Sequence, residues 1–383
     1  MLAHFARIAS ALGFCLLFNA PAHAQAIPPP TAGADAHDSA RELAGMRQAV
    51  AEASGRGRGM RWSGPPPGPP ARPGATVAIV SEDLRNGGIL GVVKGIQEAA
   101  GTIKWNLKIY NAGGTAAGRS KALAAALALK PDGVILTGVD AKDIEAQLQP
   151  LAARGTPIVG WHVGPFAGPM VDGPVAVNVS SDPLEVARIA AMAAVVQSEG
   201  RAGVVIFTDN HFAIARAKAN AMAEVIRACR DCALLEIRDV PISKTAELMP
   251  AVTQDLLTRY GTRWTHALAI NDIYFDYAAP ELTKAGRPSK SLSMLSAGDG
   301  SAAAFLRIRA GTFQTGTVAE PLNLQGWQLV DELNRLLAQR PPTANPTPVH
   351  LVTPGNVAFD GGAQLRYDPD NGYRDMYRRI WQR

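Results

Sequence analysis

The stretch ATVAIVSEDLRNGGILGVVKGIQEAAGTIKWNLKIY, residues 75–110, decides how this chain folds. Thr76–Val80 has the composition of a buried strand. Ser81–Gly88 is a polar loop, Ile89–Ala100 reads as a helix, and Trp105–Tyr110 returns to strand. Two parallel strands need such a crossover, and the crossover is right-handed.

The unit recurs on the C-terminal side. A helix is expected near Gly118–Leu129, and Pro131-Asp132-Gly133 turns the chain into a strand at Val134–Thr137. Asp140 and Asp143 are expected to cap a helix ending at Gly155, before a strand at Ile158–Val163. After Val175–Val179 a second series begins. Asp182-Pro183-Leu184-Glu185 is a capping box with proline at the first helical position. Strands at 203–208, 234–240, 266–270, 291–295 and 313–318 alternate with helices at 213–228, 245–260, 274–285 and 301–310. Pro321 opens a further helix to Leu337, and Val349–Val352 reads as a last strand. The fold class is therefore α/β, with two Rossmann-like doubly wound lobes in succession and no short-period repeat.

The ends differ from this pattern. Residues 1–24 read as a secretory signal peptide: Arg7, the apolar run Ile8–Phe18, and Ala22-His23-Ala24 before Gln25. A spanning helix needs roughly 20 apolar residues, more than this run supplies. Phe14 stands where a lipoprotein signal has a small residue, so Cys15 does not read as a lipid anchor. The protein is expected in the periplasm or outside the cell. Residues 25–74 read as a mobile Pro/Gly-rich leader or linker. Asp35–Ala53 could be a polar helix, and Gly55–Gly59 mimics a nucleotide fingerprint without its strand and helix. Arg56, Arg58 and Arg61 lie in this segment. Residues 366–383 read as a C-terminal tail packed on the surface.

Composition excludes several functions. A net charge of +5 over 383 residues is modest, and Lys and Arg are scattered, so no nucleic-acid footprint is present. There is no G-x-S-x-G elbow, H-E-x-x-H helix or Walker loop. Cys229 and Cys232 are the cysteines left after signal removal, and an oxidising compartment favours a disulfide between them. The rival is a redox C-x-x-C, which normally sits at a helix N-terminus, whereas this pair follows a helix. No metal site and no cofactor are expected.

Polar residues recur at the carboxyl ends of the strands, where open α/β sheets bind ligands. The first loop carries Glu82, Asp83, Arg85 and Asn86; later strand ends carry Trp161-His162, Asp209-Asn210-His211-Phe212, Asn271-Asp272, Ser296–Asp299 and Glu320. Arg216 interrupts an Ala-rich helix start, and its planar fork suits a diol or carboxylate. Each has a structural alternative. Asp272 and Asp299 could cap the following helices, Asn271 could serve a turn, and Trp161 could be core.

Taken in order, Pro131-Asp-Gly-Val-Ile135, Gly155-Thr-Pro-Ile-Val159, Val179-Ser-Ser-Asp182, Ala215-Arg216, Asn271-Asp272, Gly298-Asp299 and Thr317-Val-Ala-Glu320 resemble the type I periplasmic sugar-binding proteins of the ribose-binding group. The resemblance runs from Thr76 to about Phe359. It implies a three-stranded hinge near residues 180, 320 and 346. The implied lobes are 75–180 plus 321–345 and 181–320 plus 346–365. The expected ligand-binding residues are Asn86, Trp161, His162, Phe212, Arg216, Asn271, Asp299 and Glu320. The family's Asn-Pro-Phe-Phe loop is replaced by Asn86-Gly87-Gly88-Ile89, and its Asp-Arg pair by His162-Val163. Trp161, Phe212 or Tyr274 could restore a stacking surface, and Glu320 favours a cationic or hydroxyl-rich ligand. The resemblance implies a monomer that captures a small-molecule ligand, a sugar or polyol, for an inner-membrane ABC permease, or a sensor protein feeding a histidine kinase or chemoreceptor. An exported α/β hydrolase is the competing class.

Overall fold

The computed structural model describes residues 32–55, 61–343 and 345–382. The expected signal peptide, Arg56 and Arg58 lie outside the described residues. The chain divides into a short unit, Met1–Asp38, whose described part is helical, and a large unit, Ser39–Arg383.

The elements run α1 (Ala32–Ser54), β1 (Thr76–Ser81), α2 (Gly87–Thr102), β2 (Asn106–Asn111), α3 (Ala116–Leu129), β3 (Gly133–Thr137), α4 (Glu145–Ala152), β4 (Ile158–Trp161), β5 (Gly168–Pro169) and β6 (Val177–Val179). Then follow α5 (Pro183–Gln197), β7 (Gly203–Thr208), α6 (Ala213–Ala228), β8 (Ala233–Asp239), α7 (Thr245–Tyr260), β9 (His266–Ala269), α8 (Ile273–Lys284), β10 (Ser293–Ser296), α9 (Ala302–Ala310) and β11 (Gln314–Ala319). The chain closes with α10 (Leu322–Leu337), β12 (His350–Val352), α11 (Val357–Asp360) and α12 (Tyr373–Ile380).

Two six-stranded sheets result, ordered β2-β1-β3-β4-β6-β5 and β12-β11-β10-β9-β7-β8. Both are parallel except for the antiparallel edges β5 and β12. Every residue of β3 and β7 is buried, as helices on both faces require. The strand order reverses between β1 and β3 in one sheet and between β7 and β9 in the other. A crevice opens at such a switch point, outside the carboxyl ends of the strands.

The chain passes between the sheets three times: from β6 to α5, from β11 to α10, and from α10 back to β12. α10 belongs with the first sheet by packing, because Trp327, Leu329, Val330 and Leu333 share a core with Val77, Ile135 and Val159. Its crossing with α2 is tight. A Cβ on Gly326 would lie 2.7 Å from Gly95 Cα, so the two backbones meet where neither residue has a side chain.

Both ends depart from expectation. Within the large unit, parts of the leader are fastened. Ala53 is fully buried in the second sheet's core, with Leu43, Met46 and Val50 against it. The Pro66 carbonyl accepts from Arg335 Nη2 at 2.9 Å, and the Pro69 and Pro70 carbonyls face Asn334 Nδ2 at 3.3 Å. The C-terminal residues are core rather than surface: Tyr373, Tyr377 and Trp381 are buried on α10, and Trp381 stacks on Trp327 at 5.4 Å. Asp140 and Asp143 do not cap α4, whose N-cap, Ile144, has no side-chain bond. Cys229 and Cys232 adjoin, Cα atoms 5.3 Å apart, in the pairing expected of a disulfide. Among the described residues no helix is long and apolar enough to cross a membrane.

Candidate functional site

The strand ends of the two sheets face one another around a cavity of about 570 Å³. Ligand pockets commonly measure roughly 300–1,000 Å³. The first sheet contributes Glu82, Asp83 and Asn86 after β1, Gly114, Ala116 and Arg119 after β2, Gly138 after β3, and Trp161-His162 at β4. The second contributes Asp209, His211 and Phe212 after β7, Lys218 from α6, Pro241–Lys244 after β8, Asn271 after β9 and Asp299 after β10.

The two walls touch. Asp140, on the loop after β3, accepts from the backbone N–H of Ala213 at 3.1 Å. Ala213 is the first residue of α6, whose own N-cap, Phe212, makes no side-chain bond. A carboxylate from the opposite wall therefore satisfies an orphan donor at a positive helix end. Across the cleft, Gly88 lies so close to Asp299 that an added Cβ would stand 2.7 Å from the Asp299 Cβ.

The structure brings Asn86, Trp161, His162, Phe212, Asn271 and Asp299 into the cavity wall. Asn86 also caps α2, its Oδ1 accepting from Gly88 N at 2.9 Å. Asn271 both turns the chain, accepting from Ile273 N, and donates its amide to Asp299 Oδ2 at 2.6 Å. The capping role open to Asp299 falls elsewhere. Ser301 caps α9, and Asp272 accepts from the N–H groups of Gly300 and Ser301. The indole of Trp161 is buried and stacked on the His162 ring at 3.7 Å. Tyr274 offers no stacking surface; it is buried against Phe207 and donates to the Val240 carbonyl.

Arg216 and Glu320 are not in the wall. Arg216 is exposed and donates to the Asn210 carbonyl. Glu320 sits behind the wall among the three crossing segments. Its carboxylate accepts from Ser181 N at 3.2 Å and Gln325 Nε2 at 2.9 Å, and lies 3.2 Å from His162 Nε2. Gln325 also contacts Ser181 Oγ and Thr347 Oγ1, and accepts from Trp161 Nε1 at 2.8 Å. One buried amide thus links all three crossings to the aromatic floor of the cleft.

Lys218 is one wall residue that sequence reasoning missed. It is buried, donates to the Ala297 carbonyl at 2.9 Å, and stands 3.8 Å from Glu320. Burial pushes the Glu320 carboxyl up, but His162 and Lys218 more than offset this and hold it well below the usual range. Asp299 behaves oppositely. Burial raises it to about 6 against the pull of Lys218 and His162, with Glu320 adding to the rise. Like charges close together push such values apart.

His162, Asp299 and Glu320 place one donor atom each within 4.8 Å of one another, a spacing that a metal ion could use. The chemistry argues against it. Glu320 Oε2 already accepts from two N–H groups, and Lys218 already supplies a positive charge 3.8 Å from Oε1. A divalent ion would have to stand beside a buried ammonium.

The periplasmic binding protein domain family matches residues 77–341. No curated protein matches the chain by sequence. Among solved structures, a solute-binding protein of an ABC transporter from Agrobacterium vitis, bound with α-D-tagatopyranose, aligns with a TM-score of 0.68 at 17% identity, covering 76% of this chain and 99% of that one. A myo-inositol-binding protein from Caulobacter, bound to myo-inositol, aligns with a TM-score of 0.66 at 19% identity, covering 77% and 98%. An ABC sugar transporter subunit from Rhodobacter sphaeroides 2.4.1 aligns with a TM-score of 0.62 at 20% identity, covering 74% and 99%. The fold is the one expected, the type I periplasmic binding protein architecture.

Proposed function

The chain belongs to the periplasmic binding protein family, and from that premise we propose that it captures a small hydroxylated solute, a sugar or polyol, in the periplasm and presents it to an inner-membrane ABC importer. One observation carries this. The carboxyl ends of two doubly wound sheets surround a cavity whose wall carries amide, carboxylate and ammonium groups beside the stacked Trp161–His162 pair. Amide, carboxylate and ammonium groups suit hydroxyls, and a ring face suits the C–H side of a sugar. The ligands held by two of the similar structures, tagatopyranose and myo-inositol, are of this class.

The lobes of this reading are 75–180 plus 321–345 and 181–320 plus 346–365. They close about the crossings near 180, 320 and 346, where Gln325 gathers its partners. Asn86, Trp161, His162, Phe212, Asn271 and Asp299 contact the ligand. Glu320 acts at one remove, holding His162 and the hinge.

Calorimetric titration with the best-binding polyol tests the assignment. Asp299→Ala is expected to weaken binding at least tenfold, about 1.4 kcal/mol. Arg216→Ala is expected to change it less than about twofold, because that side chain is exposed and outside the cavity wall. Unchanged affinity in Asp299→Ala would place the ligand somewhere else.

A further inference from the structure

The cleft is acidic within a basic chain. Its wall holds five Asp or Glu residues against three Lys or Arg, whereas the whole chain carries +5. Two of the acids are answered. Asp83 pairs with Arg85, and Asp209 accepts from His211 N and Ile242 N. Glu82 is answered on one side alone. Its Oε1 accepts from Arg119 Nη1 at 2.7 Å, while its Oε2 is buried with no hydrogen-bond partner. The side chain is 7% exposed and lines the cavity. Leaving a buried carboxylate oxygen unpaired costs more than a typical hydrogen bond gains.

From the other lobe Asp299 offers a second buried carboxylate. Its Oδ2 takes one hydrogen bond, from Asn271. Lys218 does not reach over to neutralise Glu82, because its ammonium is committed to the Ala297 carbonyl beside Glu320. The loops after β1 and β10 therefore each bring one buried carboxylate, Glu82 and Asp299, to the cavity wall, where acidic residues outnumber Lys and Arg.

Resting on the sugar or polyol reading of this cleft, we propose that the solute it is built for carries a protonated amine as well as hydroxyls, with Glu82 Oε2 as the acceptor that selects the ammonium. An ammonium brings three donors and a positive charge to one point. A hydroxyl brings a donor without a charge. Burial also raises the Glu82 carboxyl despite Arg119, and a bound cation would relieve that cost.

The test is a titration of the full chain at neutral pH with matched pairs: glucosamine and glucose, galactosamine and galactose, 1-amino-1-deoxysorbitol and sorbitol, and the N-acetyl form of each amine. The expected result is that at least one amine binds ten or more times more tightly than both its neutral counterpart and its N-acetyl form. Glu82→Gln is then expected to lose that preference, with the amine falling to within about threefold of its neutral counterpart. Neutral members binding as well as the amines would overturn the proposal and leave the polyol reading standing. No binding by any member of either arm would sink both. The comparison in the unsubstituted chain decides the matter even if Glu82→Gln fails to fold.

Discussion

Exchanging Gly88 for alanine is expected to weaken ligand capture at least a hundredfold. Gly88 is the second residue of α2, and its N–H is held by Asn86. A methyl group there would lie 2.6 Å from the Asp299 Cγ and 2.7 Å from its Cβ, closer than real side chains approach. Relief has two routes. Asp299 swings away and breaks its bond to Asn271, or the two walls stay apart. Either route dismantles the cleft, and a hundredfold loss corresponds to about 2.7 kcal/mol. The helix itself does not suffer, since alanine is favoured over glycine within helices by roughly 0.5–1 kcal/mol. Titration with the best polyol, beside thermal melts without ligand, separates the effects. Full affinity in Gly88→Ala would mean that the walls do not meet here when the ligand is bound.

The second large effect concerns the C-terminal segment. Trp381→Ala is expected to cost about 3–5 kcal/mol of unfolding free energy, the usual range for removing a large buried aromatic. The indole is fully buried, lies nearly parallel to Trp327 at 6°, and donates to Asp331 Oδ1 at 2.8 Å. Its backbone carbonyl receives the Ala71 N–H at 3.1 Å, so one residue ties the end of the leader to the end of the chain. Removing the ring leaves a cavity and takes one of two partners from Asp331, a buried carboxylate otherwise held by Arg335 at 2.7 Å. Urea unfolding measures the loss. A change under about 1 kcal/mol would mean that α12 is not docked on α10.

The alternation of strand and helix was legible because each local signal agreed with its neighbours. Asp182-Pro183-Leu184-Glu185 opens a helix as written, with Asp182 accepting from Leu184 N and Glu185 N. The segments 213–228 and 245–260 are helical over the expected residues. Side-chain direction was harder. Arg216 drew attention as a planar cation, but two residues along a helix is more than half a turn around it. The buried face of α6 carries Ala215, Lys218, Ala219, Met222 and Ile226. A lysine inside that i, i+3, i+4, i+7 stripe was the readable sign of a buried functional cation. Asp140 is a different case. Its partner, the Ala213 N–H, belongs to the other wall, so no local spacing could reveal it. The leader misled because prolines cannot donate backbone hydrogen bonds, yet their carbonyls still accept, and Arg335 and Asn334 use them. In the C-terminal segment, Tyr373, Tyr377, Ile380 and Trp381 form one apolar helix face, and that stripe outweighs the surrounding arginines. Glu320 stood at a strand end as expected, but the chain turns there toward α10, which points the carboxylate at the hinge.

The central claim is that two lobes grip a hydroxylated solute and release it unaltered. Thermal melting of the full chain against a panel of sugars, polyols and their amino counterparts, with each ligand examined by NMR after incubation, tests this most directly. At least one member is expected to raise the melting temperature in proportion to the logarithm of its concentration, and to be recovered chemically intact. A panel that produces no shift, or a ligand recovered as a reaction product, would contradict the account.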